Sequence, residues 1–579
     1  MCGIVGFIDK KDRFNQGEQE KLVKEMLRLI KHRGGEAEGI VTNKNITIGH
    51  TRLSIVDASP QANQPFTDSN STLSFNGEIY NHVKLRKIYC AKEKIKSSSD
   101  TATLFELLKL FSIKKVLGLI NGMYAFCFLN IKEQKLFLAL DKMAIKPLYY
   151  IDSPEYFAWS SEIKAFKSLP EFKFEFNDEC LKEYMTFRYI VGEKTLFKNV
   201  YKMLAGEYLA YSVKKHSFKK TQYCQLDKTE PKESLEKIIR KSVGSHLMGD
   251  NPVGIQLSGG VDSSLIALFA KNFSTCKLHS FSVGLKDKRW NEFSYSDLAA
   301  NIVGTIHHKI IFSKSDFARL FPKLTYYFDE PVVHPNSIPM YLLAKQARKY
   351  TKVLLTGEGA DELFYGYNRY FSGNFKNDTD ILLSNSFNSP DTIKRIIKDR
   401  GREIYSERKN ILSRAKGLNK IDKMSFYDIY TYLPHVLLRQ DKAGMMANIE
   451  NRVPFLYEPV IAHALNLKTK VGQFGGKTTL KKISLKYFPA ELVLRKKCGF
   501  GLPISEWLKD KKCLLPYLDK LMDHPLIDKY FIKKELSIFI KDHLEGFCDH
   551  SSLLFSMISL TMWYDIFIGK PDTYIGTSG

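Results

Sequence analysis

The chain has 579 residues, 44% of them hydrophobic and 26% charged, a folded-protein composition too long for one core and suited to two or three domains. Its formal net charge is +24, but the lysines are dispersed and no aromatic-interleaved basic motif or zinc finger appears, so no nucleic-acid partner is expected. The nine cysteines include no C-x-x-C pair, and neither a signal peptide nor a bilayer-length apolar run is seen, which sets aside zinc, disulfide and membrane classes in favour of a soluble cytoplasmic protein.

Cys2 comes directly after the initiator Met, ahead of a predicted strand at residues 4–8. With Met1 removed it would hold both a thiol and a free α-amine of pKa near ~8, so that one residue is nucleophile and general base together. Taken alone, Cys2 reads as a small buried strand residue; three later segments change that. After His32-Arg33-Gly34, Arg52 in the strand-like run 49–57 carries the planar fork that clamps an α-carboxylate. Asn76-Gly77 reads as a turn, and the Asn76 amide with the Gly77 N–H has the donors of an oxyanion hole. Asp100, behind the helix cap Ser99, can hold an α-ammonium. These are the parts needed to hydrolyse the side-chain amide of a free amino acid. Predicted strands at 123–130, 136–140 and 156–160 make this half β-rich, and the polar stretch 227–232 with its proline reads as a linker.

Residues 253–257 form the next predicted strand, Ser258-Gly259-Gly260 a tight turn, and Val261-Asp262-Ser263-Ser264 the start of an apolar-periodic helix. Glycines that admit close approach, unpaired helix N–H groups and two serine hydroxyls make an anion site, and Asp262 adds a carboxylate for a hard cation. The G-x-x-x-x-G-K-[ST] loop is absent. An ordinary Gly-Gly turn before a serine-capped helix is the plain alternative. Strands at 278–283 and 307–311 and a helix at 293–303 continue an alternating α/β pattern. Adjacent His307 and His308 would point to opposite faces of a strand, so they read as structural rather than as metal ligands. A buried strand at 353–355 then delivers Thr356-Gly357-Glu358-Gly359-Ala360-Asp361-Glu362. Its acids would face the first loop from the carboxyl edge of the same parallel sheet, where Asp262 and Asp361 can hold Mg²⁺. Residues 371–422 are polar and read as surface helices and loops without chemistry. Lys477 stands in a glycine-flanked segment, whereas Lys481 and Lys482 read as solvated lysines, and 553–568 reads as a packed terminal helix.

Several short motifs in one order carry a resemblance. MCGIVGF, HRG, TRLSIVD, NGEIYN and SSD resemble the class II, N-terminal-nucleophile glutamine amidotransferase domain, and SGGVDSS resembles the pyrophosphate loop of the ATP pyrophosphatases. The succession is similar to that of the glutamine-hydrolysing asparagine synthetases over residues 1–510. The resemblance implies an α+β Ntn-hydrolase sandwich (αββα) at 1–210, a linker at 211–232, an α/β domain with a parallel sheet of the ATP pyrophosphatase type at 233–515, and a helical extension at 516–579. It implies Cys2 as glutaminase nucleophile, with Arg52, Leu53, Ser54, Ile55, Val56, Asn76, Gly77, Glu78 and Asp100 lining the glutamine site. For ATP it implies Leu257, Ser258, Gly259, Gly260, Val261, Asp262, Ser263, Ser264, Val283, Thr356 and Gly357, with Glu358 and Lys477 serving acyl-adenylate chemistry. The expected reaction converts aspartate to asparagine with glutamine and ATP, giving AMP and pyrophosphate, and ammonia is expected to cross the protein interior.

The family pattern is broken at Gly35-Glu36 for a usual Pro-Asp, at Lys142 for an arginine, at Ala205 for a proline and at Tyr457 for an aspartate. Tyr457 and the basic charge are the motives for an alternative acceptor such as a uronic acid of a surface polysaccharide. A non-catalytic glutamine or ATP sensor is opposed by the intact site residues, and a tRNA-modifying enzyme by the lack of an added basic module. The sequence leaves open whether the chain forms a homodimer.

Overall fold

The computed structural model describes residues 2–224, 232–274, 276–372, 375–399, 405–467, 471–496 and 501–569. Two six-stranded antiparallel sheets stack face to face in the first half. Gly3–Asp9 lies between Tyr156–Ser160 and Ile46–Arg52 in one, and Gly122–Asn130 lies between Ser71–Ile79 and Lys135–Leu140 in the other. Strand alternation explains the layers. Ile4 and Ile8 enter the core between the sheets with Cys127 and Leu138, whereas Val5 and Phe7 face Val23, Met26 and Leu27 of the helix Gln16–Leu29. Phe75 and Phe126 pack outward against Leu104 and Leu107 of the helix Asp100–Leu110. The result is the expected αββα sandwich.

That sandwich does not end at residue 210. Glu207–Ser212 pairs with Lys135–Leu140, and Ser217–Gln222 pairs with Glu207–Ser212. The segment expected to be linker from 211 therefore begins as a hairpin, held because Leu209 and Tyr211 enter the core and Phe218 packs on it. Most of the polar 227–232 stretch lies outside the described residues.

The second half contains a five-stranded parallel sheet ordered Ile306–Phe312, His279–Leu285, Val253–Gln256, Val353–Leu355, Glu450–Arg452. Successive connections run one way from Val253–Gln256 and then the other, so the order reverses between that strand and Val353–Leu355. Loops 257–260 and 356–359 leave the carboxyl ends of these two strands side by side, at the crevice where such sheets take ligands. His307 and His308 do face opposite ways. His307 Nδ1 lies 2.8 Å from Ser280 Oγ, and His308 stacks on Phe281 with ring centroids 4.9 Å apart.

Two expectations need correction. Region 371–422 is not only surface: Ile381, Leu382 and Leu412 share a core with Phe187 and Tyr189, and Arg408, fully buried, meets Glu183 at 2.8 Å. Its cationic side chain is tolerated there because it also lies over the Phe187 ring at 3.4 Å. The expected extension after 515 is built into the main core, and the packed terminal helix expected at 553–568 is present. The helix Ser551–Tyr564 is apolar on nearly every face and is packed inside, with Trp563 Nε1 donating to Asp329 O at 2.9 Å and Arg188 Nε to Ser556 Oγ at 2.8 Å. Together with the turn after it, this helix is long and apolar enough to cross a membrane, but it is mostly buried within the fold.

Candidate active sites

Cys2 is buried where the strand Gly3–Asp9 begins. Its N–H donates to Asn76 Oδ1 at 3.0 Å, and its carbonyl accepts from Arg33 Nε at 3.1 Å. The first bond orients the Asn76 amide, whose Nδ2 is left buried without a hydrogen-bond partner among the described residues. Phe75 and Ile79 send their N–H groups away from the neighbouring strand, to Gln64 Oε1 at 2.7 Å and Asp100 Oδ2 at 2.9 Å. Strand alternation puts the Gly77 N–H on that same edge. Asn76 Nδ2 and the Gly77 N–H are thus two donors not used in strand pairing. Asn76-Gly77 is not the turn expected from the sequence, because both lie inside Ser71–Ile79. Glycine is required by close approach: a Cβ at 77 would stand 2.1 Å from Met123 O.

Burial pushes the Cys2 thiol up, while a hydrogen bond from the Leu53 backbone and the Arg52 charge oppose it. Burial also pushes the Asp100 carboxyl up to about 6, against the N–H bonds of Ile79 and Thr101. Glu78 is raised well above the usual carboxylate range by burial and then by Glu450, with Arg452 opposing from 3.2 Å. The expected carboxylate clamp is turned inward. Arg52 Nη1 donates to Ser59 O at 3.1 Å and Asn63 Oδ1 at 2.7 Å, and Nη2 donates to the carbonyls of Val56 and Asp57. In this structure Arg52 fastens the loop after its own strand, whose carbonyls occupy the fork. Leu53 and Ile55 of that loop are buried in the core around the parallel sheet, and Val56 packs against it.

One helix joins this site to the parallel sheet. On Leu433–Met445, Arg439 Nη2 and Gln440 Nε2 reach Glu358 Oε1 at 3.2 and 2.8 Å, and Asp441 Oδ2 meets Arg33 Nη1 at 2.9 Å. Lys442 Nζ meets Asp329 Oδ2 at 2.5 Å. From the edge strand Glu450–Arg452, Arg452 reaches Glu78. None of Arg439, Gln440, Asp441, Glu450 or Arg452 was given a role from sequence. The signal was there: Arg439-Gln440-Asp441-Lys442 sits between Val436-Leu437-Leu438 and Ala443, and charges within an apolar helix must find buried partners.

The loops at the reversal of strand order line a cavity of 340 Å³. Leu257, Ser258, Asp262, Ser263, Val283, Thr356, Gly357, Glu358 and Asp361 all reach it, joined by Asn336, Tyr367 and Tyr432, which the sequence did not indicate. Gly259, Gly260, Val261 and Ser264 are not among its lining residues; they shape the loop behind it. Gly259 has φ +70°, and a Cβ there would lie 2.4 Å from the Tyr295 backbone. Ser264 is fully buried in the helix Val261–Lys271. Lys477 Nζ lies between the two expected metal-binding acids, 2.5 Å from Asp262 Oδ2 and 2.6 Å from Asp361 Oδ1. Among the described residues no cluster of three or more metal-type ligands occurs. Two carboxylates converging on one cation are nevertheless the donor set that Mg²⁺ completes with phosphate oxygens.

Comparison with known proteins decides the family. The asparagine synthase model matches residues 234–565, and the glutamine amidotransferase domain model matches residues 1–224. The chain belongs to the asparagine synthase family. It is 30% identical to the glutamine-hydrolyzing asparagine synthetase 1 of Bacillus subtilis (strain 168), over 98% of this chain and 97% of that protein. It is 28% identical to the glutamine-hydrolyzing asparagine synthetase B of Escherichia coli (strain K12), over 86% and 82% of the two chains. Like its family it is a carbon–nitrogen ligase that takes its amide nitrogen from glutamine and uses ATP as a substrate.

The departures from the asparagine synthase pattern acquire places. Glu36 accepts from the Ser54 N–H at 2.9 Å and pairs with Lys352 at 2.7 Å, so it ties the loop after Arg52 to the C-terminal half. Lys142 pairs with Glu458, another contact between the halves. Tyr457 is not among the residues lining the synthetase cavity; its ring lies 6.3 Å from that of His246. Residues 497–500, within the stretch that carries the resemblance, lie outside the described residues.

Proposed function

We propose that the chain amidates aspartate to asparagine through an acyl-adenylate, with Cys2 hydrolysing glutamine and the 340 Å³ cavity binding ATP and the carboxylate. The observation that carries this reading is the joined pair of sites: Arg33 holds Cys2 and meets Asp441, while the preceding residues Arg439 and Gln440 hold Glu358.

In the first site the Cys2 thiolate attacks the glutamine side-chain carbonyl, and Asn76 Nδ2 with the Gly77 N–H takes the developing oxyanion. Ammonia leaves, a thioester remains, and water releases glutamate. Asp100 and Glu78 face the substrate ammonium, which would draw both carboxyls back toward ionisation. In the second site the acceptor carboxylate attacks the α-phosphorus of ATP and pyrophosphate leaves. Asp262 and Asp361 would hold Mg²⁺, which neutralises charge on the pyrophosphate oxygens. Lys477 supplies a second positive charge at the same place, and Glu358, held by Arg439 and Gln440, stands where ammonia meets the adenylate. Ammonia transfer through the interior and a cytoplasmic setting belong to the same proposal.

The test is pyrophosphate release with ATP, Mg²⁺ and glutamine, with and without L-aspartate, and then mass analysis of the products. Aspartate-dependent pyrophosphate together with asparagine is expected. Glutamate formation with no aspartate-dependent pyrophosphate would overturn the choice of acceptor, and uronic acids would then be assayed.

A further inference from the structure

Loop 53–57 stands between the two halves and touches the nucleophile. The Leu53 N–H donates to the Cys2 sulfur, and the side chains of Leu53 and Ile55 enter the core that holds Val253, Ile255, Val353 and Leu355. The carbonyls of the four residues after Leu53 are divided between two sets of donors. Val56 O and Asp57 O take the Arg52 fork. Ser54 O and Ile55 O are served by the C-terminal half. Asn251 Nδ2 donates to them at 3.2 and 3.4 Å, the Asp250 N–H donates to Ile55 O at 2.9 Å, and Lys352 Nζ donates to Ser54 O at 3.2 Å. Lys352 also pairs with Glu36, whose carboxylate accepts from the Ser54 N–H and whose own N–H donates to Arg52 O at 3.0 Å.

The parallel sheet places Asn251 and Lys352 for this contact. Each stands just ahead of one of two adjacent strands, Val253–Gln256 and Val353–Leu355, at the edge opposite the ATP crevice, and neither lines the ATP cavity. The approach is close: a Cβ at Gly249, where φ is +127°, would lie 3.1 Å from Ile55 O. At its far end the loop is fixed within the N-terminal half. Asp57 Oδ2 accepts from Ser97 Oγ at 2.6 Å and from the Ser98 N–H at 2.7 Å, and Ser97 Oγ donates at 2.9 Å to Ser99 Oγ, the cap of the helix that begins at Asp100. The loop thus runs from the Cys2 sulfur to the Asp100 helix, and its middle is held by the other half. Carbonyls that lose such donors must find new ones, and an irregular segment can shift to do so.

We propose that Asn251 and Lys352 are positioning residues of the glutamine site, which hold loop 53–57 so that the Leu53 N–H bears on the nucleophile and Arg52 keeps its place. This rests on the proposed role of Cys2 as glutaminase nucleophile, and adds that two side chains of the C-terminal half complete the N-terminal site. A donor on the sulfur favours the thiolate, so a loosened loop withdraws that support. The thiol also faces the amino terminus, Arg52 and Glu450, and substitution of Asn251 or Lys352 removes none of these.

The experiment uses the full-length chain with Asn251→Ala, Lys352→Met and the two combined, and measures glutamate formation against pH beside amide formation from ammonium chloride. In the combined variant kcat/KM for glutamine hydrolysis is expected to fall about tenfold, the effect of losing two or three hydrogen bonds. The acidic limb of its pH profile, which reports the thiol of the free enzyme, is expected to move to higher pH while ammonia-dependent amidation keeps its wild-type rate. Lys352→Arg, which keeps the charge and the donors, is expected to behave as wild type. An unmoved acidic limb would overturn the proposal whatever the fall in kcat/KM, and so would a parallel fall of ammonia-dependent amidation, the mark of a merely structural role. Cys2→Ala, assayed alongside, keeps the two failures apart: glutaminase surviving there would overturn the nucleophile assignment itself.

Discussion

Arg33 and Asp441 are 408 positions apart and meet at 2.9 Å with neither side chain more than 2% exposed. Arg33 also donates to a second carboxylate, Glu162, at 2.9 Å, while its Nε holds the Cys2 carbonyl. The two acids hold the guanidinium charged, and the guanidinium holds the residue that opens the nucleophile strand. Breaking a buried pair costs more than the pair contributes, because one charge is left without compensation. Asp441→Asn is expected to destabilise the protein by about 3 kcal/mol, read by urea unfolding, and to raise the ratio of glutamate to amide formed. An unchanged ratio in folded mutant protein would remove Asp441 from the coupling of the sites.

Cys2→Ala is expected to abolish glutamine-dependent amidation and to leave ammonia-dependent amidation intact. Both are read as amide formed, with glutamine or with ammonium chloride as nitrogen source. Residual glutaminase in this mutant would refute the nucleophile assignment.

Asn76→Ala deletes one oxyanion donor and the acceptor for the Cys2 N–H. Loss of one such donor is worth about 10²–10³ in kcat, so glutaminase kcat is expected to fall by that factor. Ammonia-dependent synthesis, carried out at the other site, is the internal control.

Lys477→Met leaves Asp262 and Asp361 facing each other without the ammonium between them. Glutaminase is expected to survive while pyrophosphate formation falls by about 10² or more, an effect of the size found when preorganised charge is removed from a transition state. Partial rescue at raised Mg²⁺ would show that the two carboxylates take that ion.

Asp100 gives a pH test. Its folded carboxyl is held up at about 6, against 3.8 for an ordinary aspartate, by burial. The raised value contributes stability that is fully present below the unfolded pKa and is lost as pH rises through 6; the difference amounts to about 3 kcal/mol. Asp100→Asn is therefore expected to gain stability relative to wild type as pH rises from 4 to about 7, read by thermal unfolding. Function moves the other way. Glutamine binding by wild type should tighten as pH rises through about 6, where Asp100 ionises to meet the ammonium, and the mutant should bind weakly with no such step.

Much of the fold was legible because it rests on local signals. Alternating Ile4, Val5, Phe7 and Ile8 mark a strand buried on both faces, and Val253–Gln256 running through glycines into an apolar-periodic helix marks one strand–turn–helix unit. Asn76-Gly77 misled for the opposite reason: the dipeptide favours a turn locally, but pairing with Gly122–Asn130 holds it extended. Polar composition likewise concealed the core under 381–412, where a few apolar residues and one buried arginine suffice.

The sequence by itself supplied the candidate residues of each site, since Cys2, Asn76, Asp100, Asp262, Glu358, Asp361 and Lys477 stand in short motifs that can be read without contacts. Only the tertiary structure decided how the sites are joined. Residues 439–452 supply partners to Arg33, Glu78 and Glu358, and no periodicity or spacing reports contacts made across 81 to 408 positions. The fold also decided that Arg52 closes on its own loop and that Tyr457 stands apart from the ATP cavity. Long-range pairing is selected by which buried charges can neutralise one another once the layers have packed, a condition met only in three dimensions.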